Sequence, residues 1–149
     1  RFVMFKHILF ATDGSMASEH ASQMAINMAR AHGSQLTVVY VIDPYPYMGG
    51  GEMNLVGFEA YMESGQKHAQ KAFAHVKHLA SIGGEPVEVK TRLVEKSSVV
   101  KAILETAEEE HAKLIMLGSN GRGGIEKLFL GSVAAKVVAQ STKPVMIIR

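Results

Sequence analysis

Two short stretches of this sequence carry residue types able to hold an anion. One is Thr12-Asp13-Gly14-Ser15; the other is GSNGRGGIEKLFLGS, from Gly118 to Ser132. Glycine lets backbone approach a ligand closely and adopts positive φ without a steric penalty. Successive N–H groups freed in this way can curl around phosphate oxygens as an anion-binding nest. Gly131-Ser132 stands where a helix should begin, and a helix N-terminus presents unpaired N–H groups and partial positive charge. The Ser132 hydroxyl would add a donor. Arg122 offers either a charge-assisted contact or a cation pointing to solvent. A plainer alternative is that these glycines only make turns, as glycines in strand-to-helix loops often do. Asp13 has two readings as well: contact with a ligand or metal, or a cap for the helix that follows. Neither G-x-x-x-x-G-K-[ST] nor a G-x-G-x-x-G after the first strand occurs, so the expectation is an anion or nucleotide site of unfamiliar spacing.

Other candidate chemistry is thinner. With no cysteine in the chain, disulfides and thiolate metal sites are excluded. His7 lies within the first apolar run, and His20 and His32 fall on a helix out of register with the glycine loop. His75 and His78 have an i, i+3 spacing that can ligate metal. Both lie off the apolar stripe of their helix with His68 and Lys71, which reads as a solvated face. Phosphoryl transfer needs a cation at the transferred phosphate, a held metal and a group that positions the nucleophile. Asp13 and Arg122 come with no evident base. A binder is therefore expected before an enzyme, with a slow nucleotide-hydrolysing switch as the alternative.

The elements that must position these residues follow from periodicity. Lys6–Thr12 is a short apolar run ending in a turn and reads as a buried strand. Ala17, Ala21, Met24, Ala25, Met28 and Ala29 recur at helical spacing over about 16–32, with Ser15 as N-cap and Gly33 as stop. Leu36–Ile42 is continuous and β-branched, as a strand buried on both faces should be. Two prolines and Gly49-Gly50-Gly51 mark a loop over 43–57, whose Tyr45, Tyr47 and Met48 could cover a ligand or dock a partner. Ala69, Ala72, Phe73, Val76, Leu79 and Ala80 define a longer helix stopped at Gly83-Gly84. Val87–Val94 alternates, which suits a strand near an edge. Ser97 or Ser98 can cap a helix with Val99, Val100, Ile103, Leu104 and Ala107 inward. A strand over 113–118 precedes the glycine loop. A helix over 132–140 follows with Val133, Ala134, Val137 and Val138 inward, and Pro144 opens a last strand, PVMII.

This β-α-β-α-β-α-β-α-β order implies a single α/β domain, a doubly wound parallel sheet with helices on both faces. Such sheets bind ligands beyond the carboxyl ends of their strands, where strand order reverses. If the first and fourth strands are neighbours, TDGS and the glycine loop face one crevice. The chain has 149 residues and a net charge of +2. That length suits one domain, and that charge gives no footprint for nucleic acid or an anionic membrane. No run approaches the roughly 18 apolar residues of a membrane span, and a cytoplasmic location is expected. Arg1-Phe2-Val3 ahead of Met4 reads as a tag or an alternative start within a 1–149 domain.

From Met4 to Arg149 the sequence resembles the universal stress protein family. The resemblance is carried by KHILFATDGS, VVYVID and GSVAAKVVAQSTKPVMIIR. The spacing Gly118-x2-Gly121-x9-Gly131-Ser132 is similar to that of the family's ATP-binding branch. The resemblance implies an adenine nucleotide alpha hydrolase-like sheet of order 3-2-1-4-5 and an ATP-binding regulatory protein of the stress response. It implies that Ala11, Thr12 and Asp13 lie by the phosphates, with Asp13 a possible partner for Mg2+ or Mn2+ through them. It puts Val41 at the adenine, Leu117 and Gly118 by the ribose, and Ser119, Asn120, Gly121, Arg122 and Gly123 around the phosphates, completed by Gly131, Ser132 and Val133. Ala11 stands where proline is frequent in such ATP binders, and Asn120 where a histidine or basic residue is. Edge protection favours a homodimer through the apolar strand Pro144–Ile148, and the family is similar in this.

Overall fold

The structure is a computed structural model and describes residues 4–44, 55–120 and 130–149. The glycines at 121 and 123, Arg122, and most of the 43–57 stretch, including Tyr45, Tyr47 and Met48, lie outside the described residues.

The first strand, β1 (His7–Ala11), leads through a turn into helix α1 (Met16–His32). Ser15 caps α1: its Oγ accepts the Ser18 N–H at 3.2 Å. The helix ends at Gly33, whose φ of 63° is a left-handed stop. Strand β2 (Gln35–Ile42) follows, then α2 (Leu55–Ser81), β3 (Val89–Glu95), α3 (Val99–Glu109), β4 (Leu114–Gly118), α4 (Ser132–Gln140) and β5 (Val145–Ile148). All strand pairs are parallel, and the sheet order is β3-β2-β1-β4-β5.

The central strands are buried on both faces, with Ile8, Leu9 and Phe10 at most 1% exposed. Alternate residues therefore feed two cores. Ile8, Phe10, Leu36, Val38 and Met116 pack against Ala21, Ala25 and Ile26 of α1 and Ala69, Phe73 and Val76 of α2. Leu9, Val39, Ile115 and Leu117 pack against Val100, Ile103 and Ala107 of α3 and Ala134 and Val137 of α4. Thus α1 and α2 cover one face, α3 and α4 the other. The chain leaves β1 toward the first face and β4 toward the second. Because β1 and β4 are neighbours, with Ala11 opposite Leu117, their C-terminal ends part and open a crevice.

The expectations fail in three places. In α1, Ala17 and Met24 of the expected apolar face are exposed, and Ser18, Ser22 and Ile26 are buried with Ala21, Ala25 and Ala29. Helix α2 begins at Leu55, inside the stretch expected to be loop. Gly57 looks like a breaker, yet one glycine lowers helix stability by only about 1 kcal/mol, which a 27-residue helix absorbs. Val138, expected inward, is 47% exposed. The buried stripe of the short α4 is Ala134 and Val137, flanked by half-buried Val133, and Val138 lies past its rim.

Candidate nucleotide site

The crevice at the β1–β4 switch point is a cavity of about 490 Å³. Ala11, Thr12 and Asp13 reach it from the end of β1, and Leu117, Gly118, Ser119 and Asn120 from the end of β4. Val41 comes from β2, and Gly131, Ser132 and Val133 from the start of α4. Every described residue of the expected set therefore lines one hollow. Ser18, Val39, Val99, Ile103 and Ala134 line it too and are not in that set. Val99 and Ile103 are one helical turn apart and read from sequence only as core. Nothing in the local pattern says that α3 leans over the ends of the strands. The cavity is divided chemically: Val39, Val41, Val99, Ile103 and Leu117 make an apolar side, while Thr12, Asp13, Ser18, Ser119, Asn120 and Ser132 bring polar groups.

The lip after β1 is held by its own side chains. Asp13 Oδ1 accepts the Ser15 N–H at 2.9 Å and the Ser18 hydroxyl at 2.7 Å. Thr12 Oγ1 accepts the Gly14 N–H at 3.1 Å, and the Thr12 N–H donates to Val39 O at 3.0 Å. Gly14 has φ of 74°, a conformation in which a side chain would be strained. Asp13 therefore closes the turn ahead of the Ser15 cap and also lines the cavity.

The lip after β4 is held by backbone. The Ser119 N–H donates to Ile148 O at 2.8 Å, and the Gly131 N–H donates to Ser119 O at 2.7 Å. This last bond brings the two ends of the glycine loop together. A Cβ on Gly131 would stand 3.0 Å from Ser119 O. Gly131 has φ of −60°, so the position calls for glycine by close approach and not by positive φ. Its amide is committed to Ser119 O and is not among those offered to an anion, although Gly131 was expected in the phosphate pocket. Gly131 is also the N-cap of α4 and supplies no side-chain acceptor. The amides of Ser132, Val133 and Ala134 belong to the first turn and lack intrahelical acceptors. All three residues line the cavity.

Helix α3 is braced from both flanks. Glu110, just past its end, bonds Lys90 at 2.8 Å and Arg92 at 2.6 Å, and Arg92 also meets Glu109 at 2.7 Å. Glu105 pairs with Lys96, and Glu108 with Lys143 at 3.5 Å. The Lys90 hydrogen bond, helped by Arg92, holds the Glu110 carboxyl below its ordinary range against the opposing effect of burial. The contacts to Glu109 and Glu110 raise Arg92. His68, Lys71 and His75 sit on α2 and line a separate recess of about 150 Å³, with His68 and Lys71 exposed as expected. Among the described residues no group of three or more histidine and carboxylate side chains could hold a metal ion. Asp13 is the one carboxylate among the described residues lining the cavity, so a cation held by protein alone does not fit them.

The model of the universal stress protein family matches residues 4–149. The chain belongs to this family. A universal stress protein of Thermus aquaticus is 36% identical over 146 residues, covering 98% of this chain and all of that protein. Among solved structures, the universal stress protein UspA of Lactobacillus plantarum superposes with a TM-score of 0.84 at 24% identity, covering 99% of this chain and 100% of that one. One from Archaeoglobus fulgidus in complex with dAMP does so with a TM-score of 0.69 at 22% identity, over 98% and 99% of the two chains. At these identities the two structures speak for the fold. No helix among the described residues is long and apolar enough to cross a membrane.

Proposed function

We propose that this universal stress protein binds an adenine nucleotide, ATP in the first place, and acts as a regulatory protein whose conformation or assembly follows the bound nucleotide. The observation that carries this reading is the division of the crevice into an apolar side suited to a flat base and a polar side that includes the uncapped start of α4. A cavity of about 490 Å³ lies within the roughly 300–1,000 Å³ usual for small-ligand sites. The base stacks among Val39, Val41, Val99, Ile103 and Leu117. The phosphates meet the amides of Ser132 and Val133, with Asn120 beside them. That a relative of the same fold carries dAMP supports the choice of an adenylate. Mg2+ or Mn2+ enters on the phosphates, with Asp13 as the nearby carboxylate.

The whole chain acts as one cytoplasmic domain and pairs with a second copy through β5. That strand is apolar throughout and ends the sheet beside β4, where an open edge invites pairing. The opposite edge strand, β3, carries Lys90 and Arg92 in ion pairs, charges of the kind that discourage it. Antiparallel contact between two β5 strands about a two-fold axis closes the exposed edge.

Calorimetric titration with ATP, ADP, AMP, cyclic AMP and adenosine tests the nucleotide reading. Binding that strengthens with the phosphate tail is expected; no binding of any adenine compound at millimolar concentration would overturn it. Phosphate release with Mg2+ over hours, above a Ser132→Glu control, would move the protein to the hydrolytic switch. A monomer mass at micromolar concentration would remove the β5 dimer.

A further inference from the structure

We propose that Ser18 is a positioning residue of the nucleotide site: its hydroxyl holds and partly neutralises the Asp13 carboxylate where the phosphates lie. This rests on the nucleotide reading above. Ser18 stands in the first turn of α1 and is only 5% exposed, although it lines the cavity. Its backbone and side chain are engaged throughout. The Ser18 N–H donates to Ser15 Oγ at 3.2 Å and its hydroxyl to Asp13 Oδ1 at 2.7 Å. Its side-chain oxygen receives the Asp13 N–H at 3.4 Å, and its carbonyl the Ser22 hydroxyl at 2.8 Å. The hydroxyl-to-carboxylate bond is the shortest of these and is charge-assisted.

Such a bond matters because a carboxylate and a phosphate in one hollow repel each other. Asp13 shares the cavity with Asn120, Gly131 and Ser132, on its polar side. Donors from Ser18 and Ser15 draw charge from Oδ1 and keep that oxygen turned toward the start of α1. Without the Ser18 hydroxyl Oδ1 loses the nearer of these two donors, keeps the Ser15 N–H, and presents more negative charge to the phosphates. Ser18 would then govern how well a phosphate tail is tolerated and leave the base end alone.

The test measures affinity of the full chain for ATP and for adenosine, without divalent cation, in wild type, Ser18→Ala, Asp13→Asn and the double variant. Ser18→Ala should weaken ATP about tenfold, the weight of one hydrogen bond to a charged group, and leave adenosine within about twofold. In the Asp13→Asn background the same substitution should change ATP by less than about twofold, the signature of residues acting through one another. Ser18→Thr keeps the hydroxyl and should keep ATP affinity. If Ser18→Ala does not fold, Asp13→Asn alone decides: it should strengthen cation-free ATP binding, and weakening overturns the inference. Three results would each overturn it while leaving the nucleotide reading intact: parallel losses for ATP and adenosine, no loss at all, or an undiminished effect of Ser18→Ala when Asp13→Asn is also present. A wild-type chain that binds no adenine compound sinks both.

Discussion

The two lips of the crevice are built on opposite plans. The β1–α1 lip satisfies itself: Ser15 caps α1, Asp13 binds Ser15 and Ser18, and Thr12 binds Gly14. The β4–α4 lip has glycine at the cap of its helix, and its fixed points are backbone bonds from Gly131 to Ser119 and from Ser119 to Ile148. A helix start that caps itself has little left for a ligand; one without a side-chain cap keeps its first amides and its partial charge for an incoming anion. On the proposed reading the second lip binds the phosphates, while the first gives the crevice its shape and, through Ser18 and Asp13, sets how well a phosphate tail is tolerated.

Substitutions can break this division. The largest effect on binding is expected from Ser132→Glu, which places a carboxylate at the first position of α4. ATP affinity should fall by about a hundredfold or more, while the melting temperature holds or rises because negative charge suits a helix start. Calorimetry beside thermal unfolding checks it, and retained ATP affinity would take the phosphates away from α4. Gly131→Val should damage both properties. Its Cβ would press on Ser119 O at 3.0 Å, so destabilisation of about 1–3 kcal/mol in urea unfolding should accompany the loss of binding. It is therefore a poor probe of the ligand alone. Ser15→Ala, on the other lip, should lower stability by about 1 kcal/mol and leave adenosine binding within about twofold. A selective loss of ATP there, with unchanged stability, would blur the two roles.

The smallest effect lies away from both lips. Glu110 has a folded-state carboxyl held below its ordinary value of 4.5. Its pairing with Lys90 and Arg92 thus adds stability that is present above about pH 4.5, where the unfolded chain also ionises, and is lost as pH falls through the lower folded value. Glu110→Gln should reduce stability at pH 7 by about 0.5–1 kcal/mol, with the difference from wild type shrinking in acid. If it also weakened nucleotide binding, the brace on α3 would belong to the site.

Much of this was legible in the sequence because the signals were local and consistent. The β-branched run at 36–42, Ser15 before α1, Gly33 after it and Ser98 before α3 each name an element by its own chemistry. The order of elements left open whether β1 and β4 are neighbours; the family resemblance implied it, and the sheet order bears it out. What stayed hidden depended on tertiary distance. Gly131 looks like a loop glycine waiting for phosphate, and only the position of Ser119 O shows that it closes the loop. Ser18 looks like an ordinary helix serine until Asp13 turns back onto it. Val99 and Ile103 have the period of core residues, and no periodicity says that a core helix also overhangs a cavity. Leu55 and Val56 are exposed, but Phe58, Tyr61 and Met62 pack on the core at helical spacing and are the signal that marks the start of α2.

The most direct test of the division is to follow the backbone amide resonances of the protein as ATP is added. The amides of Ser132, Val133 and Ala134 should move furthest and saturate with the calorimetric affinity, while that of Ser15, already bonded to Asp13, moves little. Large shifts at Gly14 and Ser15 with a silent start of α4 would contradict the account.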